Sequence, residues 1–132
     1  MSVLSVGQKR NYRIQKDAMS EFRKGHIVQR RGFYRLNADT LIWFPKLRDG
    51  NIPQSPFGNA MLHNGDIEET CPNDKKFKAV IKYSGYKRVT FPADPRKPYH
   101  FEGVYEVKKV DAARLKIIYQ RVSTTCDTSK FK

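Results

Sequence analysis

The sequence predicts an α+β, β-rich fold: a curved sheet or barrel with an N-terminal helix. Three observations predict it. Short β-branched and aromatic runs, such as Thr40-Leu-Ile-Trp-Phe44 and Leu115-Lys-Ile-Ile-Tyr119, recur between turn residues. One stretch near the N-terminus instead sets Ile14, Ala18 and Phe22 at helical spacing. The 132 residues are 39% hydrophobic and 12% aromatic, enough for one core, so a single domain over 1–132 is expected.

Residues 8–24 are the helix, stopped by Gly25, with Lys9, Arg10, Arg13, Lys16, Arg23 and Lys24 off its apolar face. The β-rich core runs over 26–122. Its first strand is His26-Ile-Val-Gln-Arg-Arg-Gly-Phe-Tyr-Arg-Leu36, and Thr40 to Phe44 is the second. Pro45 to Lys76 is dense in turn residues (Asp49-Gly50-Asn51, Pro53, Pro56, Asn64-Gly65, Pro72-Asn73) and reads as a long binding loop, with Ala60-Met61-Leu62 as one buried patch. Strands are expected at Phe77–Tyr83, Arg88–Phe91 and Phe101–Val110. Asp111-Ala-Ala-Arg114 is the turn of a hairpin whose second arm is Leu115–Val122. The tail 123–132 is polar and is expected to fray.

Charge carries the functional signal. Lys and Arg number 26 against 13 Asp and Glu, a formal net charge of +13. Such an excess repels itself and fits a polyanionic partner. Cations interleave with rings in Arg31-Gly-Phe-Tyr-Arg35, Lys82-Tyr-Ser-Gly-Tyr-Lys-Arg88 and Lys97-Pro-Tyr-His100. Cations hold phosphates and rings stack on bases, which points to nucleic acid. Arg30, Arg31, Arg35, Arg48, Lys82, Lys87, Arg88 and His100 are the candidate nucleic-acid-binding side chains, with Tyr83 and Tyr86 presented outward by a Ser-Gly turn. Trp43 reads as core, with base stacking as its alternative role. No apolar run reaches the roughly 20 residues of a membrane span, and the opening seven residues are too short for a signal-peptide core, so an intracellular protein is expected. Cys71 and Cys126 form no paired motif, and His26, His63 and His100 are far apart, so no metal site is expected.

The stretch Tyr99-His-Phe-Glu-Gly-Val-Tyr-Glu-Val107 resembles the motif of the SRA (YDG) family of modified-cytosine readers, with Glu102 where that family has Asp. Lys87-Arg88-Val89 sits where the family has a basic strand, and Ile118-Tyr-Gln-Arg-Val122 would be the closing strand. The resemblance implies a PUA-like curved barrel that flips a base out of a duplex into a pocket. The family's base-pocket loop has no matching pattern in Leu41–Gly50. Apart from the family, period-two alternation puts Phe101, Gly103, Tyr105 and Val107 on one strand face, and Gly103 marks a bulge or a close backbone approach.

One catalytic constellation competes. Asp94 followed by Glu106-Val-Lys108 fits the loose Asp…Glu-x-Lys pattern of metal-dependent nucleases, where the carboxylates would hold Mg²⁺ and the lysine would orient water. Cross-strand charge pairing explains Glu-x-Lys equally well. The leading expectation is a module that binds duplex DNA in preference to RNA, needs no cofactor, and reads a modified or flipped base. The alternatives are a small nuclease of restriction or toxin type, and a structural RNA-binding protein of a larger protein assembly.

Overall fold

The computed structural model describes residues 3–22, 33–47, 58–93 and 98–131; Arg30, Arg31, Arg48 and Asp94 lie outside them. In chain order the elements are β1 (Val3–Ser5), α1 (Gln15–Met19), β2 (Phe33–Arg35), β3 (Thr40–Trp43), β4 (Gly58–Met61), β5 (Ile67–Thr70), α2 (Asp74–Ile81), β6 (Lys87–Thr90), β7 (Gly103–Asp111), β8 (Lys116–Ser123) and β9 (Thr125–Asp127). Seven strands form one sheet in the order β2-β3-β6-β7-β8-β5-β4, and β1 pairs with β9 beside it. All pairs are antiparallel except β3–β6.

The sheet curls strongly. Beyond β3, Lys46 bridges Ala93 and Leu47 bridges Asn59, which brings the two ends of the sheet toward each other. Among the described residues no ladder joins β2 to β4, so the sheet is curved and not a closed barrel. Two register shifts in the β7–β8 ladder, at Val104/Tyr105 and Val107/Lys109, supply curvature. The hairpin turns at Asp111, whose carboxylate accepts from Arg114 N, and at Leu115, which takes the left-handed conformation with φ 57°.

Four expectations are corrected. Among the described residues the N-terminal helix is Gln15–Met19, in place of the expected 8–24. Ile14 is extended, and Tyr12 is drawn into a bridge with Tyr99, so the preceding residues are committed elsewhere. Phe77–Tyr83 is not a strand but lies mostly in α2: the Asn73 side chain accepts from Lys76 N at 2.8 Å, and Asp74 favours the first turn. Helical spacing then buries Phe77 and turns Val80 and Ile81 to the core. The 45–76 segment is not a structureless loop. It contains the β4–β5 hairpin, closed by Gly65 (φ 89°) donating to Leu62 O and by Asn64 Oδ1 accepting from Asp66 N. The tail is ordered: β9 pairs with β1, Cys126 is buried, and Phe131 packs on Phe22.

Gly103 redirects the strand. Its φ is 125°, and a Cβ there would lie 2.8 Å from Ser123 O and 3.0 Å from Arg121 Nε. The side-chain alternation breaks at this point. Phe101 and Val104 pack on one face of the sheet, and Tyr105 and Val107 on the other. The sheet therefore has two cores. The outer one joins Ile42, Phe44, Val89, Phe91, Phe101 and Val104 to β1, α1 and β9. The inner one, in the concavity, joins Leu41, Trp43, Ile67, Tyr105, Ile117 and Tyr119 to α2.

Candidate nucleic-acid interface

The inner face holds polar groups that a dry core would exclude. Strand register sets them. Arg88 on β6 lies opposite Tyr105 on β7, Asn59 on β4 opposite Glu69 on β5, and Tyr119 on β8 opposite Ile67. Arg88, Glu69 and Asn59 are 3%, 4% and 3% exposed. The Arg88 guanidinium sits 4.8 Å from the Trp43 ring centre and 4.5 Å from that of Tyr119, and those two rings are 4.6 Å apart. Cation–π contacts in such a desolvated site are worth about 2 kcal/mol. The Tyr119 hydroxyl donates to Glu69 Oε1 at 2.7 Å.

The cluster is incompletely satisfied. Arg88 Nε and Asn59 Oδ1 are buried with no hydrogen-bond partner among the described residues. Each such group costs about 1–3 kcal/mol. Burial raises the Glu69 carboxyl above its ordinary value, against the pull of Arg88 and of the Tyr119 hydrogen bond. Burial also lifts the Tyr119 hydroxyl well up and the neighbouring Cys71 thiol to about 12, so neither ionises near neutrality. The interior thus offers two rings, a guanidinium, an amide and a carboxyl, the set that would read the polar edge of a planar base.

The sequence-derived residues divide. Arg88 is corrected: it is not a surface phosphate contact but a buried member of this cluster, because its strand phase matches that of Leu41 and Tyr105. Trp43 is 4% exposed, in the inner core, where its ring meets the Arg88 guanidinium and is tilted against Tyr119. Tyr83 and Tyr86 are half-buried instead of splayed outward. Tyr83 packs 4.9 Å from Phe33 and 5.3 Å from Tyr86, and Arg35 lies over Tyr86 at 5.9 Å. Lys82 and Lys87 are exposed, at the end of α2 and the start of β6. His100 follows Tyr99, which bridges Tyr12. It borders a cleft of about 270 Å³ lined by Gly7, Gln8, Asn11, Pro98 and Phe101, with Nε2 3.8 Å from Glu102 Oε2.

Of the nuclease constellation, Glu106 is half-buried opposite Gln120, and Lys108 is engaged by Asp66 at 3.2 Å. Among the described residues no group of three or more His, Cys, Asp or Glu is placed to hold a metal ion. No described helix is long and apolar enough to cross a membrane. Sequence reasoning did not place Asn59, Glu69 or Tyr119 in the site, although the segment Asn59–Asn64 resembles one of the SRA family and Tyr119 stands in the expected closing strand. The signal for Glu69 was present: Ile67, Glu69 and Cys71 share one phase of an alternating run, so a carboxyl stands where a core residue belongs.

Comparison with known proteins agrees with this architecture. The model of the SET and RING associated (SRA) domain matches residues 4–128. Among solved structures, the chain is similar to the 5-hydroxymethylcytosine-specific restriction enzyme AbaSI, with a TM-score of 0.73 and 23% sequence identity over 94% of this chain. It spans 42% of that enzyme's length. No curated protein matches. The chain belongs to the SRA domain family.

Proposed function

We propose that this SRA domain binds duplex DNA and reads a modified cytosine, flipped from the stack, with the cluster on its inner face. One observation carries the reading: two buried polar atoms are unpartnered among the described residues, Arg88 Nε, whose guanidinium lies against Trp43 and Tyr119, and Asn59 Oδ1, on the residue paired with Glu69 across the β4–β5 ladder. A core evolved for stability alone would have paired or removed those atoms. A flipped base supplies what they lack, namely donors and acceptors on its edge and a π-face for the rings. The net charge of +13 supplies the attraction to phosphate, and membership of the SRA family supports DNA as the partner. An intracellular location follows from that partner.

The test is fluorescence anisotropy with one duplex carrying cytosine, 5-methylcytosine or 5-hydroxymethylcytosine, and with matched RNA. The expected result is tighter binding to one modified duplex, with the preference lost in Asn59→Ala and Trp43→Ala. Equal affinity for all three duplexes would sink base reading and leave a generic polyanion binder. Running the recovered probe on a gel with Mg²⁺ present tests the alternative of a metal-dependent nuclease built on Asp94, Glu106 and Lys108, since cut strands would put it first.

A further inference from the structure

We infer that the outward face of α2 is the surface that grips the DNA backbone, through Lys75, Lys78 and Lys82. The inference rests on the DNA-binding reading and adds the surface that reading lacks.

Three observations carry it. The first is the face itself. Lys75, Lys78 and Lys82 stand at i, i+3 and i+7, with Lys82 still in helical conformation at the C-cap, so all three project from one side, and all are exposed. Lys76 flanks them on α2, and Lys87 follows on β6. They span about 10 Å of helix, which matches roughly three nucleotides of one strand at ~3.4 Å each.

The second is the absence of internal claimants. Of these three lysines, only Lys78 has a carboxylate partner among the described residues, Asp74 at 3.0 Å. That pair is exposed on both sides, so it is weak and readily exchanged for a phosphate. Some other described cations are held by carboxylates. Arg10 pairs with Glu21, Lys108 with Asp66, Lys116 with Glu68 and Arg121 with Glu102.

The third is position. The opposite side of α2 presents Phe77, Val80 and Ile81 to the same cluster that contains Trp43 and Tyr119. β5 delivers Glu69 into that cluster, Cys71 N anchors to Leu115 O at 2.8 Å, and Asn73 then caps α2. The lysines therefore stand one helix diameter, about 10 Å, outside the proposed base site. Phosphates held there would keep a flipped nucleotide within reach of it. Another group of exposed cations among the described residues, Lys9, Arg13 and Lys16, sits with the α1 segment that packs on the outer face.

The experiment compares two triple variants of the full chain with equal charge change: Lys75→Gln/Lys78→Gln/Lys82→Gln and Lys9→Gln/Arg13→Gln/Lys16→Gln. Glutamine keeps helix propensity close to that of lysine, and thermal melts check that both variants fold. Affinity for an unmodified duplex is measured by anisotropy across a salt series. Wild type should bind with a steep dependence of log K on log salt. The α2 variant should lower that slope by up to ~2.7, at about 0.9 per lost phosphate contact, and weaken binding roughly 100-fold near 0.1 M salt. The α1 variant should change the slope by less than one. An all-arginine α2 variant should restore the wild-type slope. If wild type binds DNA but the two glutamine variants lose slope equally, or the α2 variant loses none, the α2 surface is refuted and DNA binding survives. If matched duplex RNA alone shows the α2-dependent slope, the backbone is RNA and the inference fails as stated. If wild type binds no duplex at all, the DNA reading fails and takes this inference with it.

Discussion

The two faces of the curled sheet are built on opposite rules. On the outer face the rings of Tyr12, Phe22, Phe44 and Phe101 all lie within 6.3 Å of Phe91. Its polar groups are partnered at the rim, where the Tyr12 hydroxyl donates to Glu21 and Glu21 meets Arg10. The inner face packs as tightly around Trp43 and Tyr119, yet it retains a guanidinium, a carboxyl and an amide with atoms left unpaired. Both faces bury apolar surface, so burial does not distinguish them. What differs is whether the buried polar atoms are answered from within the chain. Among the described residues the outer face is complete alone, and under the proposed function a ligand completes the inner one.

The largest expected effect breaks the outer face. Phe91→Ala should cost ~3–5 kcal/mol, because it removes the ring at the centre of the aromatic stack and leaves a cavity. A urea or thermal melt reads it. Whatever protein remains folded should keep its preference among duplexes. A loss of preference without a loss of stability would mean that the outer face takes part in reading. Next comes Gly103→Ala at the junction of the two faces. A side chain there meets Ser123 O at 2.8 Å with φ at 125°, so strain and clash add, and a loss of about 2–3 kcal/mol is expected. A neutral melt would show that β7 can relax and that the switch of faces does not depend on this backbone conformation.

Arg88→Met sharpens the comparison. It keeps volume and removes the charge, the unpaired Nε and the ring contacts. Replacing a buried charge by a well-packed apolar group is often neutral, so stability should move by less than about 1–2 kcal/mol while discrimination among modified duplexes is lost. A fall of more than ~3 kcal/mol with discrimination intact would make Arg88 a structural pillar and remove the argument for a base site.

What could be read beforehand follows from how locally each feature is determined. The β7–β8 hairpin was legible because its period-two runs and the Asp111 turn are local. Trp43 as core was legible because it stands in a continuous apolar run. α2 was misread because Phe77, Ala79 and Ile81 fit a strand as well as Phe77, Val80 and Ile81 fit a helix; the Asn73 cap decides, and it lies outside the apolar run. That misreading hid the lysine face. The tail was misread because its order comes from pairing with β1 at the far end of the chain, which no local pattern announces. Arg88 was recognised as a cation but placed on the surface. Its burial is set by the phase of β6 against β3 and β7, and a one-residue change of phase would have buried Lys87 in its place. Glu69 and Asn59 became a pair only through the β4–β5 register.

The smallest expected effect tests whether the inner face is left unfinished. Because burial raises the Glu69 carboxyl, folding favours its protonated form. That contribution is complete below the unfolded-state value near pH ~4.3 and is lost as pH rises through the higher folded-state value. Glu69→Gln cannot ionise, so the stability of the variant relative to wild type should improve as pH rises through that window. Urea midpoints at a series of pH values measure the difference at each step, free of any constant offset from the substitution. If the difference instead moves toward wild type as pH rises, Arg88 is holding Glu69 ionised, and the two form a self-sufficient buried ion pair. The inner face would then be as complete as the outer one, and its polar atoms would no longer argue for a base.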